Sequence, residues 1–257
     1  DAGASIRQGE MRLRLAYVEL LWPTKTYLKA GNDWMLGTTL FCLPDMLAFL
    51  PCTSNGLLFM REPQITVGQT VGSSVFNVTL DLSIARAQGG DSGDMFNPGP
   101  RSSSTQPDNQ LDCSGVGEAS EQPSYKGRLT FRIVPAQDFV FILGGSGQYM
   151  REIHALQTSG STTTASTSVT DYTDDEMVES WYGQAFASFL FSCVRLQGHY
   201  FQGENIDTFF GGIAQGVTMM NPGTPDAYME AVKSQGGWGE LWINLRPFRV
   251  PLTFSFG

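Results

Sequence analysis

The sequence is poor in the residues that most catalytic and metal sites use. Only two histidines occur among its 257 residues, His154 and His199, which excludes a metal site with three histidine ligands. Each histidine has apolar or aromatic neighbours, and packing or surface exposure is the simpler interpretation of both. We therefore predict no catalytic, cofactor-binding or metal-binding residues, expect no cofactor, and expect that the protein is not an enzyme.

Cysteines are also few. The four show no metal-type spacing: Cys42, Cys52, Cys113 and Cys193. Cys193 lies in an apolar run and Cys42 beside one, which favours free thiols over disulfides.

Positive charge is scarce, with 16 Lys and Arg against 25 Asp and Glu and a formal net charge of -9. Affinity for nucleic acid comes from clustered Lys and Arg that release counterions, so strong direct nucleic-acid binding is not expected. Uncharged apolar runs of roughly 18 residues are absent as well, so we expect no membrane span unless the chain is a barrel.

Glycine and proline are plentiful, with 29 and 13 residues, and 41% of all residues are hydrophobic. With alternating apolar and polar positions, they predict a single mainly β domain over residues 1–257. In Ser124–Leu143, Leu129, Phe131 and Ile133 alternate with polar residues, which predicts a strand with one buried and one wet face. The apolar run Phe139–Leu143 predicts a strand covered on both faces.

Further strands are predicted along the chain, at 10–21, 38–43, 64–71, 74–85, about 185–201, 240–246 and 250–256. In 74–85 the apolar residues from Phe76 to Ile84 share one face and the polar residues are assigned to water. Gly68 suggests a bulge. Ala30-Gly31-Asn32-Asp33 predicts a turn within 27–33, and a glycine-rich turn is predicted at 144–148.

Two helices are predicted as well. One runs from Asp174 to about Ala185, with acidic residues at its start and paired apolar positions every four residues. The other runs from Pro225 to Gln235, between a Thr-Pro-Asp start and Gly236.

The stretch 88–123 is poor in large apolar residues and predicts a long loop insertion between two strands. We expect it to lie across an adjacent subunit. The candidate subunit-interface residues are Asn97, Pro98 and Pro100 in this loop, together with Trp238 and Trp242 near the C-terminus.

Tyr125-Lys126-Gly127-Arg128-Leu129-Thr130-Phe131 resembles the aromatic-x-Gly-x-Leu-x-aromatic strand in coat proteins of picorna-like RNA viruses. The resemblance implies an antiparallel β-sandwich of jelly-roll type with one or two helices and long loops. It also implies a capsid subunit of the virion that assembles with other subunits through loops and termini, with a host receptor as a possible partner. A start at Asp1 without Met is consistent with proteolytic processing.

Two alternatives remain open. A secreted β-sandwich that binds a glycan or a receptor would explain the sequon Asn77-Val78-Thr79. An outer-membrane β-barrel would explain the alternation and the aromatic C-terminal strand.

Overall fold

A computed structural model describes residues 15–38, 58, 60–87, 120–136, 138–156, 162–164, 167–169, 174–209, 216–221, 226–245 and 253–256. These residues contain fourteen β-strands. Their bounds are β1 (Ala16–Leu21), β2 (Thr26–Trp34), β3 (Arg61–Gly72), β4 (Phe76–Ala85), β5 (Ser124–Ala136), β6 (Phe139–Leu156), β7 (Thr162–Thr164), β8 (Thr167–Val169), β9 (Asp174–Phe191), β10 (Val194–Glu204), β11 (Val217–Met220), β12 (Tyr228–Ala231), β13 (Lys233–Asn244) and β14 (Thr253–Phe256). The prediction of a mainly β chain is confirmed.

Ten strands form one antiparallel sheet in the order β1-β2-β3-β4-β5-β6-β9-β10-β13-β14. The other four form two short hairpins, β7 with β8 and β11 with β12. Among the described residues the large sheet is not closed, and β1 and β14 are its edges. A jelly-roll sandwich has two facing sheets, so that finer prediction is not confirmed.

The connections between sheet strands are short at one end of the sheet and long at the other. Successive strands run in opposite directions, so the short connections share one end: residues 22–25, 73–75, 137–138, 192–193 and 245–252. The long connections share the opposite end: residues 35–60, 86–123, 157–173 and 205–232. We call these the short-turn end and the long-connection end. The predicted insertion at 88–123 belongs to the second, although residues 88–119 lie outside the described part.

Both predicted helices are wrong. Asp174–Phe191 is strand β9, which pairs along its whole length with β6 and over Trp181–Phe191 with β10. Residues four apart share a face in a helix, and they also share a face in a strand, where every second residue points the same way. Pairing with strands on both sides then outweighs the helix propensity of the segment. In the second segment, Tyr228–Ala231 pairs with Val217–Met220, and β13 begins at Lys233.

Both predicted glycine turns are also wrong, because residues 27–33 lie within β2 and residues 144–148 within β6. At Gly144 a Cβ would lie 2.4 Å from the Leu129 carbonyl oxygen, so glycine here permits close strand approach. Gly68 forms no bulge: its register with β2 and β4 is continuous. A Cβ there would meet the Tyr27 ring, which covers this glycine.

The strand predictions at 64–71, 74–85 and 240–244 agree with the fold. The strand predicted at about 185–201 is instead a hairpin, because a turn at 192–193 separates the end of β9 from β10. The predicted strand at 38–43 lies, apart from Thr38, outside the described residues. Within the described part, Asp207–Phe209 forms a single 3-10 turn, and no helix is long and apolar enough to cross a membrane.

Candidate functional site

Strand β4 is apolar on its exposed side and polar on its buried side. Leu80, Leu82 and Ile84 are 47%, 51% and 54% exposed, whereas Asp81 and Ser83 are 1% and 4% exposed. The sequence correctly predicted the alternation but assigned the two faces the wrong way round. Periodicity shows that two faces differ and does not show which face is covered.

The same inversion extends over most of the sheet. Exposed apolar side chains lie on what we call the outward face, among them Ile65, Val67, Leu80, Leu82, Ile84, Leu129, Leu143, Leu196 and Leu241. Buried polar side chains lie on the opposite, inward face, among them Gln64, Thr66, Ser83, Lys126, Ser146, Gln148, Gln184, Gln197, His199 and Glu240. The described residues contain no second large sheet over the inward face, so we infer that the sheet curves around it.

Aromatic residues border the outward apolar region at both ends. Toward the long-connection end, Tyr125 pairs with Tyr149, which pairs with Trp181. At the short-turn end lie phenylalanines, with Phe139 and Phe189 ring centroids 5.4 Å apart. From Phe139 to Tyr149 the chain rises about 33 Å along β6, at about 3.3 Å per residue.

The apolar region crosses the strands obliquely. One row of outward residues runs from Ile65 on β3 through Tyr149 to Trp181 on β9. On β10 this row falls on Glu204, and the first aromatic residue, Tyr200, lies four residues nearer the short-turn end. The strands are therefore tilted relative to the apolar region, as strands are in closed barrels.

Charged residues pair on the inward face. Arg128 donates to Asp81 Oδ2 from Nε at 2.9 Å, and its Nη2 lies 2.8 Å from the same oxygen. The Tyr27 hydroxyl donates to Asp81 Oδ1 at 2.7 Å. Lys126 forms an ion pair with Glu62, and both side chains are almost completely buried.

A cavity of about 310 Å³ adjoins these groups. Tyr27, Lys29 and Arg128 line it together with nine residues from β1 and the residue before it, β2, β3 and the 35–38 segment. Lys29 Nζ lies 2.9 Å from Asp33 and 3.5 Å from Glu19. Charges of both signs thus line one space on the inward face. Such a surface can exchange hydrogen bonds with a hydrophilic solute.

The segment Met35–Thr38 packs onto the inward face. Gln184 Nε2 donates to the Gly37 carbonyl at 2.6 Å and to Ser146 Oγ at 2.5 Å, while its Oε1 lies 2.6 Å from His199 Nε2. Because both amide hydrogens have acceptors, His199 Nε2 is the donor to Gln184 Oε1.

This segment also contributes to an apolar cluster on the same face. The cluster contains Met35, Leu58, Ala87, Met150, Tyr182, Phe201, Ile206 and Phe209. Parts of the long connections 35–60 and 205–232 therefore cover part of the inward face.

The predicted interface residues are only partly described. Trp238 and Trp242 lie on the inward face of β13 and pair with His199 and Arg195 of β10. The Arg195 guanidinium lies 5.1 Å from the Trp242 ring centre. Asn97, Pro98 and Pro100 lie outside the described residues. Cys193, at the turn between β9 and β10, is a free thiol.

Sequence reasoning missed the inward polar residues, above all Asp81, Arg128 and Gln184. The available signal was a polar residue at every second position inside long strands, which was interpreted as a wet surface. The described part of the chain contains no group of three or more His, Cys, Asp or Glu placed to hold a metal ion.

Comparison with known proteins gives no relative: no family model, no curated protein and no solved structure matches this chain.

Proposed function

We propose that the chain forms the wall of an outer-membrane type of β-barrel whose inward face lines a passage for small hydrophilic solutes. The observation that carries this proposal is the inversion of the two faces: apolar side chains are exposed and polar ones are buried. In water an extended exposed apolar face is costly, whereas in a bilayer it is the favourable surface.

The connectivity supports the same proposal. Each strand of the large sheet pairs with its neighbour along the sheet, so backbone groups between the two edges are satisfied without water, as hydrocarbon requires. Short turns at one end and long connections at the other are typical of membrane barrels. The two aromatic borders would then lie at the two membrane surfaces.

Closure is part of the proposal. Ten strands with antiparallel neighbours leave β1 and β14 running in opposite directions, so these two edges are oriented to pair in the antiparallel sense. In a bilayer an open edge would leave backbone N–H and C=O groups unsatisfied at several kcal/mol each.

The proposed test measures membrane insertion and conductance together. We expect the full chain to require detergent for extraction, and to produce stepwise conductance when the purified protein is added to a planar lipid bilayer. Heat-denatured protein is the matched control. Protein that stays in the aqueous phase without detergent and produces no conductance would overturn the proposal.

The second candidate is the capsid subunit with a jelly-roll sandwich. The observation that favours it is again the exposed apolar face, because neighbouring subunits can cover such a face as lipid does. Sedimentation of detergent-free protein as a large, uniform particle would favour this candidate.

A further inference from the structure

We propose that Asn205 and Asp207 bind one calcium ion beside the buried carboxylate of Glu152, at the start of the long connection 205–232. This inference goes beyond the proposed function and does not depend on it. All three side chains are at least nine-tenths buried, with exposures of 1%, 7% and 0%.

The orientation of the Asn205 amide is fixed by its partner. Asn205 Nδ2 donates to Glu152 Oε2 at 2.6 Å, and a carboxylate only accepts hydrogen bonds, so the amide oxygen must lie on the other side. There Asn205 Oδ1 is buried and has no hydrogen-bond partner. Glu152 Oε1 is likewise buried without a partner. Leaving the Asn205 oxygen unsatisfied is costly, which points to a missing positive ligand in front of it.

Asn205 Oδ1 and Asp207 Oδ1 both lie close to the backbone of Gly216, because a Cβ on this glycine would meet both oxygens. The two oxygens therefore lie within a few ångströms of each other. Two oxygen atoms so close repel each other unless a cation or a donor lies between them. A side chain at residue 216 would occupy the space in front of both oxygens.

The backbone holds this arrangement in place. Asn205 has a left-handed conformation with φ of 51°, its N–H donates to the Val232 carbonyl at 3.0 Å, and its own carbonyl accepts from Ser180 Oγ at 2.5 Å. The Val232 N–H in turn donates to the Gly216 carbonyl at 2.8 Å. The two ends of the connection, near 205 and 232, are thereby held together around the oxygens.

The donor set selects the ion. Amide and carboxylate oxygens are hard ligands, and calcium accepts about six to eight of them in irregular geometry, with water or main-chain oxygens completing the shell. The imidazole of His154 lies against Glu152 Oε2, the same oxygen that accepts from Asn205, with His154 Nε2 3.1 Å from it.

The test is calcium binding by calorimetry and by the calcium-dependent shift in Tm, with the full chain in detergent. We expect one ion per chain, a higher Tm in calcium than in EDTA, and at least about tenfold weaker binding for Asp207→Asn, which keeps the side-chain shape. Glu204→Gln is the matched control, because this neighbouring acid pairs with Lys233 and should not affect binding.

A second variant keeps the proposal testable if Asp207→Asn does not fold. Asn205→Asp adds a carboxylate oxygen and also replaces the Nδ2 donor to Glu152 by an oxygen. We therefore expect a lower Tm in EDTA and a larger calcium-dependent rise in Tm than in the native chain. Absence of calcium binding by the native protein would overturn the proposal, and so would equal binding by native protein, Asp207→Asn and Asn205→Asp.

Discussion

Lys126 on β5 and Glu62 on β3 form an ion pair on the inward face, with strand β4 between them. The exposures of the two side chains are 0% and 1%, so neither charge has water to solvate it. The pair therefore depends on both partners, and removal of one leaves the other as an isolated buried charge.

We predict that Glu62→Gln lowers the free energy of unfolding by about 3–5 kcal/mol, because Lys126 remains buried without its carboxylate. The double variant Glu62→Leu with Lys126→Met should recover most of this loss. Chemical denaturation in lipid vesicles measures both values. A loss below about 1 kcal/mol for the single variant would contradict the proposed role of the pair.

A charge on the outward face should be costly only inside the apolar region. We predict that Leu82→Arg lowers the free energy of unfolding in a bilayer by about 2–4 kcal/mol. Gln202→Arg is the control, because Gln202 is exposed on β10 two residues beyond Tyr200 and outside that region, and it should cost less than about 1 kcal/mol. Equal losses in both variants would argue against lipid contact at Leu82.

The Arg128–Asp81 pair should influence ion selectivity. Arg128→Gln removes a positive charge from the inward face, so the reversal potential in a salt gradient should shift toward cation selectivity. Asp81→Asn should shift it toward anions. Glu179→Gln, on the outward face of β9, is the control and should change nothing. Shifts of the same sign in the two inward variants would show that these side chains do not line the conducting path.

The Tyr27 ring covers Gly68 closely enough to be tested by a double-mutant cycle. A Cβ on Gly68 would meet Tyr27 Cε1 at well under van der Waals distance. Gly68→Ala alone should cost about 1–3 kcal/mol of unfolding free energy from overpacking. In a Tyr27→Ala background the same change should cost far less. Additive losses would indicate that the glycine is required by Asp81, whose Oδ1 a Cβ would meet at 2.6 Å, or by the backbone, and not by the ring.

The sequence predicted strands well where alternation was strong and poorly where local signals competed with pairing. Phe76–Ala85 was correct because its period of two extends over the whole strand. Asp174–Phe191 was predicted to begin as a helix because residues four apart fit both structures, and only its partners β6 and β10 decide between them. Glycines at 144–147 suggested a turn because their close contacts involve strands distant in sequence.

The inward site was harder to predict, for a physical reason. Asp81, Arg128 and Gln184 come from three strands, and only the register brings them to one face. What covers the apolar face is a separate question, since the alternation is the same whether that face contacts protein or lipid. The sequence favoured a capsid subunit because residues 125–131 resemble a coat-protein strand, whereas the exposed outward face favours the membrane alternative.

The regular connectivity of the sheet also bears on how its size can change. β9 and β10 are joined by a short turn, and both of their outer ends lie at the long-connection end. Loss or duplication of such a hairpin would leave β6 and β13 running in opposite directions with new antiparallel neighbours, whereas loss of one strand would not. The number of strands should therefore vary in steps of two, which makes the hairpin the natural unit for widening or narrowing the sheet by duplication or deletion.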